Sequence, residues 1–448
     1  MRLLAAYGAL LVGLTLGALA LHVPGDPNVG SVALKNAFVG VVAVAVAAYF
    51  ASVWLVLHRK LPNRAIVLVL AVAVALRLPV LLAPPFLSSD VYRYVWDGRV
   101  QAAGYNPYRY IPSDPALAGL RDASISPMIN RADYAPTIYP PAAQVIFAAI
   151  GRVSQTVFAM KAAMVGFELL AVLCLLRLLA IARLPSKRIL IYAWNPLTVW
   201  SFAGNGHVDA AVIGLLAAAL LLRILQRDAL AGVIFGAAVL VKFLPAVVAP
   251  AMWRARAGWR FAAAALAVMV ALYACYAGAG WRILGFLPGY GTEEGLSSGT
   301  GVWLLAGLAL LVELPRAAAP VYFAAVAIAL AALGAWIAFR RRPAPGSAED
   351  VVAVCSGAAI LMACLSAAIA PHYAWYFAWL ALPSVIRPFR GVLWLSATPV
   401  LLDIDPLNER FIWASLVYLP AIALALADLR LAHPRAAAVV PPAIEGNA

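Results

Sequence analysis

Charge is what this sequence has least of. Only 12% of its 448 residues are Asp, Glu, Lys or Arg, against about 25% in an ordinary soluble domain. With 65% hydrophobic residues beside it, that scarcity excludes a soluble globular protein and a disordered chain. Cysteine is sparse too. Cys174, Cys275, Cys355 and Cys364 all lie inside apolar segments, and none forms a CxxC pair. A disulfide scaffold, a zinc site and thiol redox chemistry therefore lack support, and buried packing is the role left. Acidic residues are also few, 19 against 33 Lys and Arg, for a formal net charge of +14. This basic excess lies in short clusters between apolar runs, which is how a polytopic chain orients itself. It is not gathered into a nucleic-acid-binding face, so nucleic acid is excluded as a partner.

What the chain does have is apolar length, with a mean hydropathy of +0.92. Runs at 3–23, 32–57 and 65–83 match the about 20 residues that cross a bilayer as a helix. Arg2 precedes the first run. No small-residue cleavage site follows it, so it reads as a membrane helix rather than a signal peptide. The basic loop 58–64 reads as cytoplasmic. So do the clusters at 183–188, Arg227, 254–260, 340–342, 387–390 and 430–435. Alternation then puts residues 84–141 on the outer face.

Two stretches are too short for the crossings that this counting demands. Residues 229–253 carry Lys242 and Pro245 near their middle and read as a broken hairpin with its bend towards the outer side. Residues 301–314 read as a re-entrant or surface helix on that side. The expectation is an all-α, polytopic integral membrane protein with about 12–14 membrane helices. It has one membrane domain over 1–431, with the outer loop at 84–141. A disordered cytoplasmic tail, rich in Ala and Pro, covers 432–448. No linker is long enough for a second domain.

The outer loop is where chemistry gathers. It opens Ser88-Ser89-Asp90-Val91-Tyr92-Arg93-Tyr94-Val95-Trp96-Asp97-Gly98-Arg99 and continues through Gly104-Tyr105-Asn106-Pro107-Tyr108 to Tyr139-Pro140-Pro141. On a helix, Asp90, Arg93, Tyr94 and Asp97 share one face at spacings of three and four. A carboxylate deprotonates a hydroxyl, an arginine fork clamps a phosphate, and an aromatic ring stacks on a sugar. Such a face suits an anionic, sugar-bearing, lipid-linked ligand. A solvated, salt-bridged helix with an aromatic belt would use the same residues without any function.

Further candidates fall at other outer turns. Gly204-Asn205-Gly206-His207-Val208-Asp209 places His207 and Asp209 between two spans, where they bind substrate, position an acid or cap the next helix. One His and one Asp are too few for a metal site. His372, Tyr373, Trp375 and Tyr376 form a similar end at 370–376. Lys242 is an ionisable side chain deep in apolar sequence, and so is functional by default. Arg77 raises the same question, with snorkelling to the headgroups as the alternative. Glu168 pairs with either cation. Glu293 and Glu294 read as a solvated Gly-rich turn. The polar and aromatic features converge on one composite site at the outer face.

Taken in order, these motifs resemble the GT-C glycosyltransferases, and most closely their bacterial mannosyltransferase-like branch. The motifs are Asp90-Val-Tyr-Arg-Tyr-Val-Trp-Asp-Gly-Arg99, Gly104-Tyr-Asn-Pro-Tyr108, Tyr139-Pro-Pro141, Asn195-Pro-Leu197, Gly206-His-Val-Asp209, Lys242-Phe-Leu-Pro245 and His372-Tyr-Ala-Trp-Tyr376. The resemblance covers about 79–379. It implies an inverting transferase that uses a polyprenyl-phosphate sugar, with an acid of the first outer loop as general base. Asp90 matches that position. Many members carry paired acids there, whereas this chain has Ser89-Asp90 and a second acid at Asp97. Arg93, Arg99 and Lys242 become candidates for the donor phosphate. Tyr94, Tyr139, His207, Asp209, His372, Tyr373 and Tyr376 become pocket residues.

Mannose is the first expectation for the sugar, with glucose or a pentose as alternatives. The acceptor is a glycan, a glycolipid or a protein. No cofactor is expected, and a divalent metal is not indicated. The Ala- and Arg-rich, Lys-poor composition points to a GC-rich bacterial genome, and the topology and the resemblance together imply a bacterial inner membrane with the site on its periplasmic or extracellular side. The competing class is a secondary transporter or lipid flippase, which places its polar groups near the midplane.

Overall fold

The computed structural model describes residues 1–21, 32–255, 257–404 and 410–432. The expected tail at 432–448 lies outside them except for Ala432, as does Arg256. The described residues form helices and turns, with no strand among them. Among the described residues, six helices are long and apolar enough to cross a membrane: α1 (Arg2–Ala20), α2 (Val32–His58), α3 (Ala65–Leu82), α6 (Val157–Ile181), α10 (Ala318–Phe339) and α11 (Ala348–Ile369). Between and after them come α4 (Asp90–Ala102), α5 (Pro141–Val153), α7 (Asp209–Ile224), α8 (Asp228–Val241), α9 (Gly258–Ala274) and α12 (Arg410–Ala432). The chain is a multi-pass membrane protein with an all-α fold. Leu266 and Val270 on α9, and Val321, Ile328, Trp336 and Phe339 on α10, are exposed apolar side chains. Such a surface is stable against lipid but not against water.

Not every apolar segment is one continuous helix. Pro196–Gly204 and α7 form one pair bent by 116°, and α9 with Ala277–Glu293 another bent by 108°; counting each pair as a span gives up to eight. Other arms are broken into short pieces, such as Leu190–Ala193, Leu244–Val248, Ala249–Met252, Ala374–Leu380 and Ala381–Ser384. Pro196, Pro245, Pro250 and Pro383 fall in or beside them, and each removes a backbone donor from its helix. Freed backbone groups survive at membrane depth only inside protein, and most residues of the 190–204 arm are buried. Residues 301–314 do not cross: they hold only the short helix Trp303–Ala309.

Small residues let the helices approach. A Cβ on Gly236 of α8 would lie 2.7 Å from the Ala265 carbonyl of α9, and one on Gly214 of α7 would lie 2.6 Å from the Phe167 carbonyl of α6. Gly151 of α5 meets Gly98 of α4 in the same way, at 2.7 Å. Close backbone contact of this kind supplies packing where lipid offers helices no hydrophobic drive to associate.

Several buried charges are paired with one another. Arg77 on α3 meets Glu168 on α6 in a two-pronged contact at 2.7 and 3.1 Å, and also donates to the Ala193 carbonyl at 2.6 Å. Arg77 therefore does not snorkel, and Glu168 belongs to it rather than to Lys242. Arg223 and Asp350 join α7 to α11, both nearly fully buried. Around that pair, Arg342 donates to the Ala251 carbonyl and Arg254 binds Asp228. Lys187 reaches the Leu61 carbonyl, and Ala182 shares a groove with Arg340 and Glu349. The basic clusters thus collect at one end of the bundle.

Replacing Glu168 by Leu strands the Arg77 guanidinium in apolar protein and costs about 3–5 kcal/mol. The thermal midpoint in detergent is expected to fall sharply, and the double change Arg77→Leu, Glu168→Leu to recover most of the loss. A single variant as stable as wild type would contradict this pairing.

Candidate active site

The other end of the bundle is built from the exit of α3. Lys161, in the first turn of α6 and 1% exposed, donates to the Val80 carbonyl at 2.8 Å and the Ala83 carbonyl at 2.5 Å. The orphan carbonyls of the α3 terminus are thereby capped by an ammonium, and the chain leaves in a fixed direction. The Phe86 amide then donates to the Asn205 side chain at 2.7 Å, which binds this exit to the turn before α7. Gly206 in that turn has a positive φ of 69°, and a Cβ there would meet Lys161 Cγ at 2.9 Å and Val91 at 3.0 Å. Only glycine fits both the backbone and the space. That turn presents His207 and Asp209.

These pieces enclose a cavity of about 480 Å³ whose lining includes Asp90, Tyr94, Asn130, Arg131, Tyr139, Asp209, Lys242, Tyr290, Tyr373 and Tyr376. Asp90 starts α4 and looks into it. One carboxylate oxygen accepts from the Asn130 amide at 2.8 Å, and the other lies 3.7 Å from His207 Nδ1. His207 is fully buried and stacked on Trp375, ring centroids 4.0 Å apart. Neither of its ring nitrogens has a hydrogen-bond partner among the described residues. Enclosure by protein raises the Asp90 carboxyl above its ordinary range, against the Asn130 hydrogen bond and the charges of Lys242 and Arg131.

Lys242 stands where α8 ends, in extended backbone. Its ammonium contacts Asp209 at 2.7 Å and lies 3.3 Å above the Tyr376 ring. A carboxylate and a ring face offset the cost of holding this cation away from water. Tyr376 in turn shares a hydroxyl contact with Tyr290 at 2.9 Å. Leu87, Ile138, Val241, Phe243 and Leu287 complete apolar walls around this polar centre. The arrangement offers a hydrogen-bonded carboxylate, an ammonium across from it, and a greasy enclosure.

Not every expected residue reaches this centre. Arg93 lines the cavity, but its guanidinium is committed to Asp97 at 3.0 Å and the Ala135 carbonyl at 3.2 Å. Asp97 is buried behind it, also held by Gln144 at 2.8 Å. Asp97 is thus a structural partner and no second site acid. Arg99 lies outside the lining and binds Asp122 at 2.7 Å. For Arg93 and Asp97 the reason is that α4 is buried from Val91 to Gly98, so their charges need protein partners. His372 borders a neighbouring cavity instead, bonded to the Gly301 carbonyl at 2.9 Å and facing Glu294 at 3.3 Å.

Glu293 and Glu294 are not a solvated turn. Glu293 binds Arg131 at 2.6 Å, and Glu294 accepts from the Tyr373 hydroxyl at 3.2 Å. Asn130, Arg131, Lys161 and Tyr290 carry no motif and escape sequence reading. Only the position of Asn130 and Arg131 inside the outer loop marks them. Among the described residues no three His, Cys, Asp or Glu side chains gather as a metal-binding group.

The family model described as alpha-(1->6)-mannopyranosyltransferase, N-terminal domain, matches residues 1–258. The chain belongs to this family, the MptA_B family. It is therefore a membrane glycosyltransferase of the GT-C mannosyltransferase type. The match takes in Asp90, Asn130, His207, Asp209 and Lys242, so the Asp90 side of the cavity falls within the family domain. Comparison with curated proteins and with solved structures gives no match.

Gly206→Ala tests how this end is assembled. A methyl group there must displace Lys161, which two carbonyls pin, and must hold a left-handed backbone at a cost of about 1–3 kcal/mol. A lower thermal midpoint in detergent and weakened transfer are expected together. Wild-type values for both would show that the turn is not fixed as described.

Proposed function

We propose that the protein is an inverting mannosyltransferase. It moves mannose from a polyprenyl-phosphate donor to a hydroxyl acceptor at the outer face of a bacterial inner membrane, with Asp90 as general base. The observation that carries this reading is Asp90 itself, an enclosed carboxylate oriented by Asn130 in the same cavity as Lys242 and Arg131. The alpha-(1->6) linkage in the family description supports mannose and an α-linked product, formed by inversion of a β-linked donor.

The chemistry follows from the residues. Asp90 accepts the proton of the acceptor hydroxyl as that oxygen attacks the anomeric carbon. The bond to the donor phosphate breaks with its electron pair on the phosphate oxygen, through an oxocarbenium-like transition state. Lys242 lines the cavity with part of its charge directed at Asp209, and Arg131 with part directed at Glu293. Negative charge growing on the phosphate draws on both cations. Apolar walls suit the polyprenyl chain. Basic clusters at the opposite end of the bundle support an outward-facing site by the positive-inside rule. A transporter or flippase reading is weaker, because the buried charges outside the cavity are satisfied by one another rather than left for a passing solute.

Membranes expressing wild type or Asp90→Asn, supplied with radiolabelled polyprenyl-phosphate sugars, test the reading. Label from the mannose donor is expected to enter product in wild type and to fall about 10²–10⁴-fold in Asp90→Asn at equal expression. Full turnover by the variant would remove Asp90 from the role. No transfer from any donor by folded wild-type protein would move the weight to flux across the membrane.

A further inference from the structure

A second cavity, of about 510 Å³, adjoins the first. Arg131 and Tyr373 belong to both linings and so form the partition. Its remaining walls differ in kind. Glu293, Glu294, His372 and Thr300 supply polar groups, and Trp303 and Tyr418 supply aromatic faces. Two carboxylates against one guanidinium leave a formal negative charge, which disfavours a phosphate or a lipid phosphate. Carboxylates instead accept hydrogen bonds from hydroxyls, and aromatic faces pack on the C–H faces of sugar rings.

The aromatic wall is assembled from distant parts of the chain. Trp303 stacks on Tyr418 of α12 with centroids 5.0 Å apart, and its indole N–H donates to Ser415 at 3.1 Å. Tyr418 is 2% exposed, and its hydroxyl has no hydrogen-bond partner among the described residues. A buried phenol normally has one. The hydroxyl is closed off from the cavity, and Tyr418 contributes to this wall through its ring. Glu294 is held by His372, the Tyr373 hydroxyl and Arg131 at 3.3, 3.2 and 3.8 Å, so its carboxylate meets an incoming ligand in a fixed position.

We propose that this second cavity is a saccharide subsite, which holds the non-reacting units of a neutral oligosaccharide acceptor while its terminal hydroxyl reaches Asp90 across the Arg131–Tyr373 partition. The inference rests on the glycosyltransferase reading of the first cavity. It divides the two substrates by chemistry. The lipid phosphate goes to the apolar cavity with Lys242, and the glycan goes to the acidic, aromatic one. Discrimination between acceptors of different length would then come from residues 293–303 and α12, beyond the part of the chain that the family domain covers.

Equilibrium binding of manno-oligosaccharides, from mono- to tetrasaccharide, to the purified full chain in detergent without donor is the test. Wild type is expected to bind the tetrasaccharide more tightly than the monosaccharide. Trp303→Ala and Glu294→Gln are each expected to weaken the tetrasaccharide about tenfold and leave the monosaccharide unchanged. Glu294→Gln keeps the shape of the side chain and an oxygen for the Tyr373 hydroxyl, so its fold is preserved. Tetrasaccharide affinity that neither change alters would overturn the proposal. So would equal losses for both saccharides, or the absence of saccharide binding to wild type. Retained transfer in Asp90→Asn would remove the base assignment and leave these binding results standing, so the two failures are separable.

Discussion

The ammonium of Lys242, set between the Asp209 carboxylate and the Tyr376 ring, draws together three segments that are far apart in sequence. It brings the broken end of α8 to the start of α7 and to the aromatic run after α11. A lone cation here would be costly, and so would a lone carboxylate at Asp209. Each therefore fixes the other. Their contact closes one side of the cavity that Asp90 enters from α4. The break at Lys242 matters because a continuous helix would carry the side chain past this level. Extended backbone at that residue turns it towards the cavity.

A second set of constraints holds the opposing wall. Lys161 fixes the end of α3, Asn205 fixes the chain that follows, and Gly206 packs on Lys161. Asp90 then begins α4 with its orientation already determined, and Asn130 completes it. The burial of α4 explains why Arg93 and Asp97 serve structure. In a membrane bundle, charges that do not face a cavity must find one another, as Arg77 and Glu168 also do.

Much of this was legible in the sequence, for physical reasons. Long apolar runs report spans because lipid admits no other continuous backbone. Pro245 beside Lys242 reports a break because proline cannot donate to its helix. Helical spacing from Asp90 correctly put Arg93, Tyr94 and Asp97 on one side of α4. It could not say which of them face the cavity and which face protein. Glu293 and Glu294 sit among glycines, and local composition reads that as solvent. Their partners, Arg131 and His372, are distant in sequence and visible only in three dimensions. Lys161 was hidden in the same way, since it satisfies carbonyls rather than a charged residue. Which apolar arms are continuous was not legible, because arms broken into short pieces are as apolar as continuous helices.

In the mechanism proposed above, the base is a carboxylate that its enclosure makes more basic than usual, with two nearby cations opposing that rise. The direct test is the pH dependence of kcat/KM for transfer to a saccharide acceptor. Asp90 acts only when deprotonated, so activity is present above its raised pKa and is lost as pH falls through it. The acid limb is therefore expected to lie above the ordinary carboxyl value of about 4, and to vanish from the residual activity of Asp90→Asn. An acid limb that persists unchanged in that variant would mean that another group accepts the proton.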